Sequence, residues 1–280
     1  MDKDKADYKV IFVDVGQGDS TIIYKLSNMH SVLIDAGSAS PVLSQLKETS
    51  ELEGIFITHC HNDHIAGIPA VVGWLQGNNK KDVGVYVNRQ VQSSKISKRL
   101  AITFDEAREN NTIILYPAYK EFPQRMALIG GCFFILWPTH ENAIRHPDDK
   151  NLDSLVLRFE VEKFRLLIGG DAEGDVWSHI SSDDLKADVF RYPHHGAELT
   201  ATGKDSLADE IINKINPAWI VVSVCTDNPH GHPSRQFINA QSNHPEILFL
   251  DTTEGNIILQ IESNTAYIKT IHENQSSDKI

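Results

Sequence analysis

Seven consecutive residues hold the densest set of reactive side chains in this chain of 280: Thr58-His59-Cys60-His61-Asn62-Asp63-His64. Three imidazoles and a carboxylate in so short a stretch are the donors that zinc, manganese or iron prefer. His59 and His61 stand two apart, so in an extended loop they point the same way. Asp63 and His64 then turn into a helix start and reach toward a second ion. A turn of surface histidines is the plain alternative. The spacing H-x-H-x-D-H, with a strand before it and a helix after it, argues against that alternative. Other candidates lie far off in sequence. Asp35 ends Val32-Leu33-Ile34-Asp35-Ala36-Gly37, as a turn residue or as a group that orients a ligand. Asp171 ends Leu167-Ile168-Gly169-Gly170-Asp171, as a helix cap or a ligand. His194 and His195 are adjacent and do not both face one ion easily. His232 precedes Pro233. It either just sits at a helix N-terminus or binds a substrate phosphate there, where helix-end amides favour anions. His30, His179, His244 and His272 read as solvated single residues.

These side chains need elements to carry them. The apolar strand Gly54-Ile55-Phe56-Ile57 leads into the histidine cluster and the helical run Ile65–Leu75 leads out of it. A loop at the carboxyl end of a strand projects its side chains into a crevice, as ligand loops in α/β proteins do. Strand-like runs recur at Lys9–Val13, Ser20–Lys25, Val32–Ile34, Ile55–Thr58, Thr112–Tyr116, Cys132–Trp137 and Ser154–Val161. They continue at Phe164–Ile168, Ala187–Arg191, Trp219–Val224, Ile247–Leu250, Asn256–Ile261 and Ala266–Ile271. Helical patterns fall at Pro41–Glu48, Ile65–Leu75, Asp105–Asn110, Glu173–Ile180, Asp205–Ile215 and Ser234–Ser242. Hairpin-like strands precede a βα rhythm, and the order repeats in the second half. That mixture predicts a layered α/β protein, with two sheets face to face and helices outside.

Composition sets the outer bounds. The chain is 41% hydrophobic and 23% charged, enough apolar surface to exclude a disordered chain. Three widely spaced cysteines, Cys60, Cys132 and Cys225, exclude a disulfide scaffold. The longest apolar run, Cys132–Trp137, is far below the roughly 20 residues that span a bilayer. The opening Met-Asp-Lys-Asp-Lys lacks the features of a secretory signal, so a cytoplasmic location is expected. A net charge of −12 argues against a general nucleic-acid coat, while leaving room for a local basic patch. Such a patch exists: from Val83 to Phe104 no residue is acidic, whereas Arg89, Lys95, Lys98 and Arg99 are basic.

Taken together, the motifs resemble the signature of the metallo-β-lactamase fold superfamily, a group of metal-dependent hydrolases. The H-x-H-x-D-H run is the core of the resemblance. The stretch ending in Asp35 resembles the strand whose buried Asp orders the metal-binding loops. The stretch ending in Asp171 resembles the strand whose carboxylate bridges two metals. His194-His195-Gly196 resembles the late histidine motif. Three stretches are more specific: Val13-Asp14-Val15-Gly16-Gln17-Gly18-Asp19-Ser20, Asn151–Leu157 and Gly231-His232-Pro233. They look like the soluble hydrolase domain of ComEC-type competence proteins, which take up DNA. The matches span residues 10 to 235. The resemblance implies an α/β four-layer αβ/βα sandwich. It would form a single domain over residues 1–272, with a helical, basic insertion around 76–111 and a disordered tail at 273–280.

The same resemblance implies two divalent metal ions, Zn or Mn, held by His59, His61, Asp63, His64, Asp171 and His195. Asp171 would bridge them, His195 would be the late ligand and His194 a substrate contact. Many superfamily members use a further histidine, often beside a glycine, as third ligand of the first metal. In this chain that region is Trp137–Asn142 followed by Asn151–Ser154, so His140 and Asn151 are the candidates, with Asp35 a metal or ligand-orienting group. The expected activity is hydrolysis by a metal-activated water, with Asp63, His194 and His232 as catalytic groups. A phosphodiesterase or nuclease is the first reading. In it Lys95, Lys98 and Arg99 bind a phosphate-containing substrate, DNA or RNA; the plain alternative for those three is a solvated helix face. Hydrolysis of a small-molecule ester, cyclic nucleotide or lactam is the second reading. The third is an effector subunit whose hydrolase site a partner protein activates. No membrane is expected as a partner, and a protein partner or a second copy of the chain remains open.

Overall fold

Strand residues in this chain alternate between two apolar environments, and that alternation builds the layers. The computed structural model describes residues 7–88, 94–145, 151–201, 207–262 and 265–270. The chain first lays down β1 (Tyr8–Phe12), β2 (Thr21–Lys25), β3 (His30–Ile34), β4 (Glu51–Ile57), β5 (Val83–Val87) and β6 (Ile113–Pro117). A second sheet follows, from β7 (Met126–Leu128), β8 (Gly131–Trp137), β9 (Val156–Val161), β10 (Phe164–Ile168), β11 (Val189–Arg191), β12 (Trp219–Val222) and β13 (Leu248–Asp251). The chain then returns to the first sheet with β14 (Ile257–Glu262) and β15 (Thr265–Thr270). The strand orders are β15-β14-β1-β2-β3-β4-β5-β6 and β13-β12-β11-β10-β9-β8-β7.

Val10 and Phe12 of β1 face the second sheet, where Phe133, Phe159 and Leu166 meet them in the central core. Ile11 and Val13 point the other way, into a core shared with helices. The period of two thus puts apolar residues on both faces, as a sheet covered on both sides requires. Outside the first sheet lie α1 (Ala39–Leu46), α2 (Asn62–Ile65), α3 (Ile68–Gly77) and α4 (Lys95–Glu109), through Val42, Ile65, Val72 and Phe104. After α5 (His140–Arg145), the second sheet is covered by α6 (Gly174–Ser178), α7 (Ser182–Leu185), α8 (Ala208–Ile215) and α9 (Arg235–Asn243). Trp177, Leu185, Ile211 and Phe237 fill that outer core. The arrangement is the expected four-layer sandwich.

Each sheet changes character partway across. In the first, antiparallel hairpins give way to the parallel run β3-β4-β5-β6. In the second, β7 to β10 are antiparallel and β10-β11-β12-β13 are parallel. Loops at the carboxyl ends of parallel strands form the crevice in such sheets. Here β3, β4, β10, β11 and β12 end in the residues singled out above.

Several boundaries differ from the sequence reading. The run Ile65–Leu75 is two helices, broken where the Gly67 N–H turns to the Ala36 carbonyl. The stretch 76–111 is not helical throughout. Its strand β5 pairs in parallel between β4 and β6, one strand in from the sheet's edge rather than outside the sheet. The helix expected at Asp105–Asn110 begins ten residues earlier in α4, where Ser94 and Ser97 cap each other's backbone N–H. Strand β7 and helices α5 and α7 had no clear sequence signal. Arg89 and the tail at 273–280 lie outside the described residues. Among the described residues no helix is long and apolar enough to cross a membrane.

Candidate metal centre

Four loops interlock at the rim where the parallel strands end. The loop after β1 and the loop after β3 press against the histidine loop. Asp19 N–H donates to the Asp63 carbonyl at 3.0 Å, Ala36 N–H to the His64 carbonyl at 2.8 Å, and Gly37 N–H to the Asp19 carbonyl at 2.9 Å. A Cβ at Gly18 or Gly37 would collide with the carbonyl oxygen of Asp63, so both motifs need glycine for backbone to pass backbone. From the second sheet, Leu155 N–H donates to the Thr58 carbonyl at 2.9 Å and Asp171 N–H to Ser154 Oγ at 2.9 Å.

Within this frame the expected ligands meet. Asp63, His64, Asp171 and His195 offer donor atoms within 4.8 Å of one another, and so do His59, His61 and Asp171. Asp171 belongs to both groups. Its Oδ1 lies 3.1 Å from His64 Nε2 and 3.9 Å from His195 Nε2, while its Oδ2 lies 3.4 Å from His59 Nε2. His59 Nε2 is 2.9 Å from His61 Nδ1, and His195 Nε2 is 3.2 Å from Asp63 Oδ2. His59, His64, His195 and Asp171 are buried, and the Asp63 side chain stays 33% exposed.

The outer ring nitrogens fix which lone pairs point inward. Asp35 takes the Thr58 N–H at 2.8 Å and the Thr58 hydroxyl at 2.6 Å, and its Oδ2 lies 2.8 Å from His64 Nδ1. With its proton on Nδ1, His64 aims the bare Nε2 at Asp171. His195 Nδ1 faces the Ser223 carbonyl at 3.1 Å and Asp19 Oδ1 at 3.2 Å, so its Nε2 also points inward. His64 Nε2 and Asp171 Oδ1 are buried and have no hydrogen-bond partner. Once His64 gives up its Nε2 proton, two acceptors face each other in a buried pocket, an arrangement that suits a cation between them. The donor set of nitrogen and carboxylate oxygen therefore fits divalent metal ions.

The electrostatics agree with this fit. Burial works against charge on His195, but Asp19 at Nδ1 and Asp63 at Nε2 outweigh it and lift its pKa to about 10. Burial also opposes charge on His64, yet Asp171 and Asp35 hold its pKa well above the ordinary imidazole value. Burial, with His64 beside it, pushes His59 down. Against the cost of burial, His64 and His59 hold the Asp171 carboxyl well below its usual range. Likewise His195 and His64 depress Asp63, and Arg191 and His195 depress Asp19. The pocket is a field that gathers positive charge, and without metal it gathers protons.

Comparison with known proteins bears on this geometry. Residues 13–78 match the metallo-beta-lactamase superfamily. ComE operon protein 3 of Bacillus subtilis (strain 168) is 25% identical over 259 residues, which are 84% of this chain and 31% of that protein. The chain thus spans about a third of the length of that relative. The metallo-beta-lactamase fold protein YhfI of Bacillus subtilis superposes with a TM-score of 0.61 at 14% identity, over 91% of this chain and 100% of that one. The chain therefore has the metallo-beta-lactamase fold, and its residues 13–78 match the superfamily itself. Zn(2+)-bound PqqB from Methylobacterium extorquens shares the fold, with a TM-score of 0.55 at 11% identity over 89% and 99% of the two chains.

The remaining sequence candidates fall at varied distances from this cluster. His194 Nε2 is 3.9 Å from Asp171 Oδ2, and its ring centroid is 5.9 Å from that of His232. His140 joins neither donor group. It is exposed at the start of α5, edge-on to Tyr119 at 5.0 Å, with its N–H donating to Glu121. Asn151 donates from Nδ2 to Glu173 Oε1 at 3.3 Å, and its Oδ1 is buried without a hydrogen-bond partner. Lys95, Lys98 and Arg99 are exposed on the first turns of α4, which packs against α2, the helix that carries Asp63 and His64.

The sequence reading missed the groups that hold the ligands in place. Asp19 and Arg191 form a buried ion pair at 2.5 Å, and Arg191 also donates to the Ser223 hydroxyl at 2.5 Å. Asp19 thereby joins the guanidinium to His195 Nδ1. Ser154 caps the Asp171 backbone and faces His59 Nδ1 at 3.5 Å. The signal for Asp19 was present in the Gly-Asp-Ser end of the opening motif. Arg191, 172 residues later, had none. Asp19→Asn keeps the shape and removes the charge behind His195. It is expected to weaken metal binding at the His195 group by about 10- to 100-fold, read by metal titration, with little change at the His59–His61 group.

Proposed function

We propose that this metallo-beta-lactamase-fold hydrolase domain cleaves phosphodiester bonds in nucleic acid. The observation that carries the proposal is the pair of adjacent donor groups sharing the two oxygens of Asp171. Paired divalent ions in such an arrangement supply the charge that activates water and neutralises a phosphoryl oxygen. Zinc and manganese both suit the donors, since imidazole and carboxylate are shared by the two metals.

The chain's own residues do the rest. Asp63, part of the pocket yet a third exposed, can orient a water molecule at the solvent side. His232 borders the opening beside His194, and its ring stacks on His230 at 5.8 Å. Burial, with the neighbouring imidazoles His194, His195 and His230, lowers its pKa and keeps it neutral in the free protein. An arriving phosphodiester brings the negative charge that lets His232 take up a proton and pass it to the leaving oxygen. Lys95, Lys98 and Arg99 stand on the helix that packs against α2, and they give an otherwise acidic chain a cationic bank beside the centre. That bank favours a long anionic substrate over a small neutral one.

The test is a substrate panel with manganese or zinc: bis-p-nitrophenyl phosphate, single- and double-stranded DNA, RNA and a chromogenic lactam. Turnover of the phosphodiesters, lost in Asp63→Ala and His61→Ala, is the expected result. Turnover of the lactam alone, or full activity in both variants, would reject the reading. A second outcome concerns the bank. Changing Lys95, Lys98 and Arg99 together to Ala should weaken binding to duplex DNA and reduce the slope of log affinity against log salt by about 2 to 3. Fluorescence anisotropy over a salt series measures both.

A further inference from the structure

Helix α4 carries a charge pattern that works against the helix itself. Its first half holds Lys95, Lys98 and Arg99, and its second half holds Asp105, Glu106 and Glu109. A helix dipole favours acids at the start and cations at the end. Here the first turn has no acid, and Arg108 is the one cation in the last. Lys95 and Arg99, four residues apart, repel each other, and so do Asp105 and Glu109. Among the described residues the one ion pair on α4 joins Arg108 to Asp105 at 3.7 Å, with both side chains largely exposed. Lys95, Lys98, Arg99, Glu106 and Glu109 are exposed and pair with no charge among the described residues.

These charges share one face. With about 100° of turn per residue, all six fall within about 60° of Ile102 around the helix axis. Ile102 is 61% exposed, the most exposed large apolar side chain among the described residues. Leu100, Phe104 and Ala107, on the opposite side, are buried. Around Ile102 the charges mirror one another with opposite sign. Arg99 and Asp105 stand three residues before and after it, Lys98 and Glu106 four, and Lys95 and Glu109 seven. An identical helix laid antiparallel across this face, with Ile102 on the two-fold axis, sets Lys95 opposite Glu109, Lys98 opposite Glu106 and Arg99 opposite Asp105. Two-fold symmetry makes each of these pairs twice. It also runs the two dipoles head to tail. A nucleic acid along the same face would use the cations alone and then meet the acids.

We infer that the outer face of α4 docks a second copy of this chain, with the two α4 helices antiparallel across Ile102. The inference does not rest on the phosphodiesterase reading and meets it at one point: the acids of the second copy and a nucleic acid compete for Lys95, Lys98 and Arg99. Helix α4 has 15 residues. It is about 22 Å long, so the contact is small beside that of a permanent dimer. Association through it is reversible, micromolar or weaker, and sensitive to salt.

Sedimentation equilibrium of the full chain, at up to about 0.3 mM protein in about 0.05 M salt, tests this. The wild type is expected to form dimers and to lose them in about 0.5 M salt, where exposed charges are screened. Arg99→Asp and Asp105→Arg should each weaken the dimer by at least about tenfold, because each sets like charges together twice. Mixing these two variants in equal amounts should restore association, since each then faces its opposite across the contact. One chain carrying both changes should dimerise as the wild type does. Both rescues guard against a folding defect in the single variants. Ile102→Lys, which sets like charges at the axis, should also weaken the dimer. A wild type that stays monomeric would overturn the inference and leave the three cations to nucleic acid. A dimer indifferent to both single variants would lie on another face, and variants that stay apart when mixed would exclude the antiparallel register; either result overturns it. None of these outcomes alters the phosphodiesterase reading, which the substrate panel tests on its own.

Discussion

Asp171→Asn is expected to empty both metal positions at once. Asp171 is the single side chain common to the two donor groups, with one oxygen toward His64 and the other toward His59. An amide keeps the volume but removes the charge, and it turns an N–H donor onto one of the two groups. Neither group can then share a negative oxygen. Affinity at each position should fall by more than about 100-fold, the upper range seen when a mere supporting partner is lost. Phosphodiester turnover should fall by about 10³-fold or more, because stabilisation of developing charge goes with the ions. The side-chain volume is unchanged, so the fold itself should survive, as circular dichroism would show. Asp63→Asn is the matched control. It touches only the His195 group and should cost one ion and not two. If Asp171→Asn retained a tightly held ion while Asp63→Asn lost both, the shared carboxylate would be the wrong one.

The parts of this centre that were legible in sequence are those whose geometry is local. His59, His61, Asp63 and His64 sit on one loop between a strand and a helix, so spacing alone conveys their direction. Asp171 was legible because the apolar run before it fixes the end of β10. The split between His194 and His195 was not legible, because two left-handed residues in succession have no signature when neither is glycine. Nor was the Asp19–Arg191 pair, which joins the loop after β1 to the end of β11 only once the two sheets are packed. The layers were legible from alternating apolar runs. The exceptions are the three-residue β7 and β5, whose Val83-Gly84-Val85-Tyr86-Val87 was masked by the basic stretch that follows it. Parallel pairing between β4 and β6 is a long-range event that no window of sequence contains. Helix α4 hid its first half for a related reason: Lys95, Lys98 and Arg99 swamp the thin apolar stripe of Leu100, Phe104 and Ala107 that anchors it.

Metal removal should reverse the pH dependence of stability. In the metal-free chain His195 has a pKa of about 10 and His64 lies well above the ordinary imidazole value, so both are protonated at pH 7. A raised folded-state pKa stabilises fully below the unfolded value of about 6.5, and that contribution is lost as pH climbs through the folded value. The depressed carboxyls Asp171, Asp63 and Asp19 act oppositely: their contribution is present above about 4 and is lost as pH falls through their folded values. His59, pushed down by burial, also acts against acid, its contribution shrinking as pH drops below about 6.5. The chelated protein should therefore be most stable at about pH 6.5, and should lose on the order of a few kcal/mol by pH 10. With ions bound, the inward nitrogens of His64 and His195 must be bare. Loading at pH 7 should then release about two protons per chain, and the loaded protein should lose stability in acid instead, as protons displace the ions. Thermal melts from pH 5 to 10, with and without a chelator, should give curves that cross, and calorimetry in buffers of different ionisation enthalpy should count the protons. Parallel melting curves, together with no proton release, would mean that these imidazoles never exchange protons for a cation.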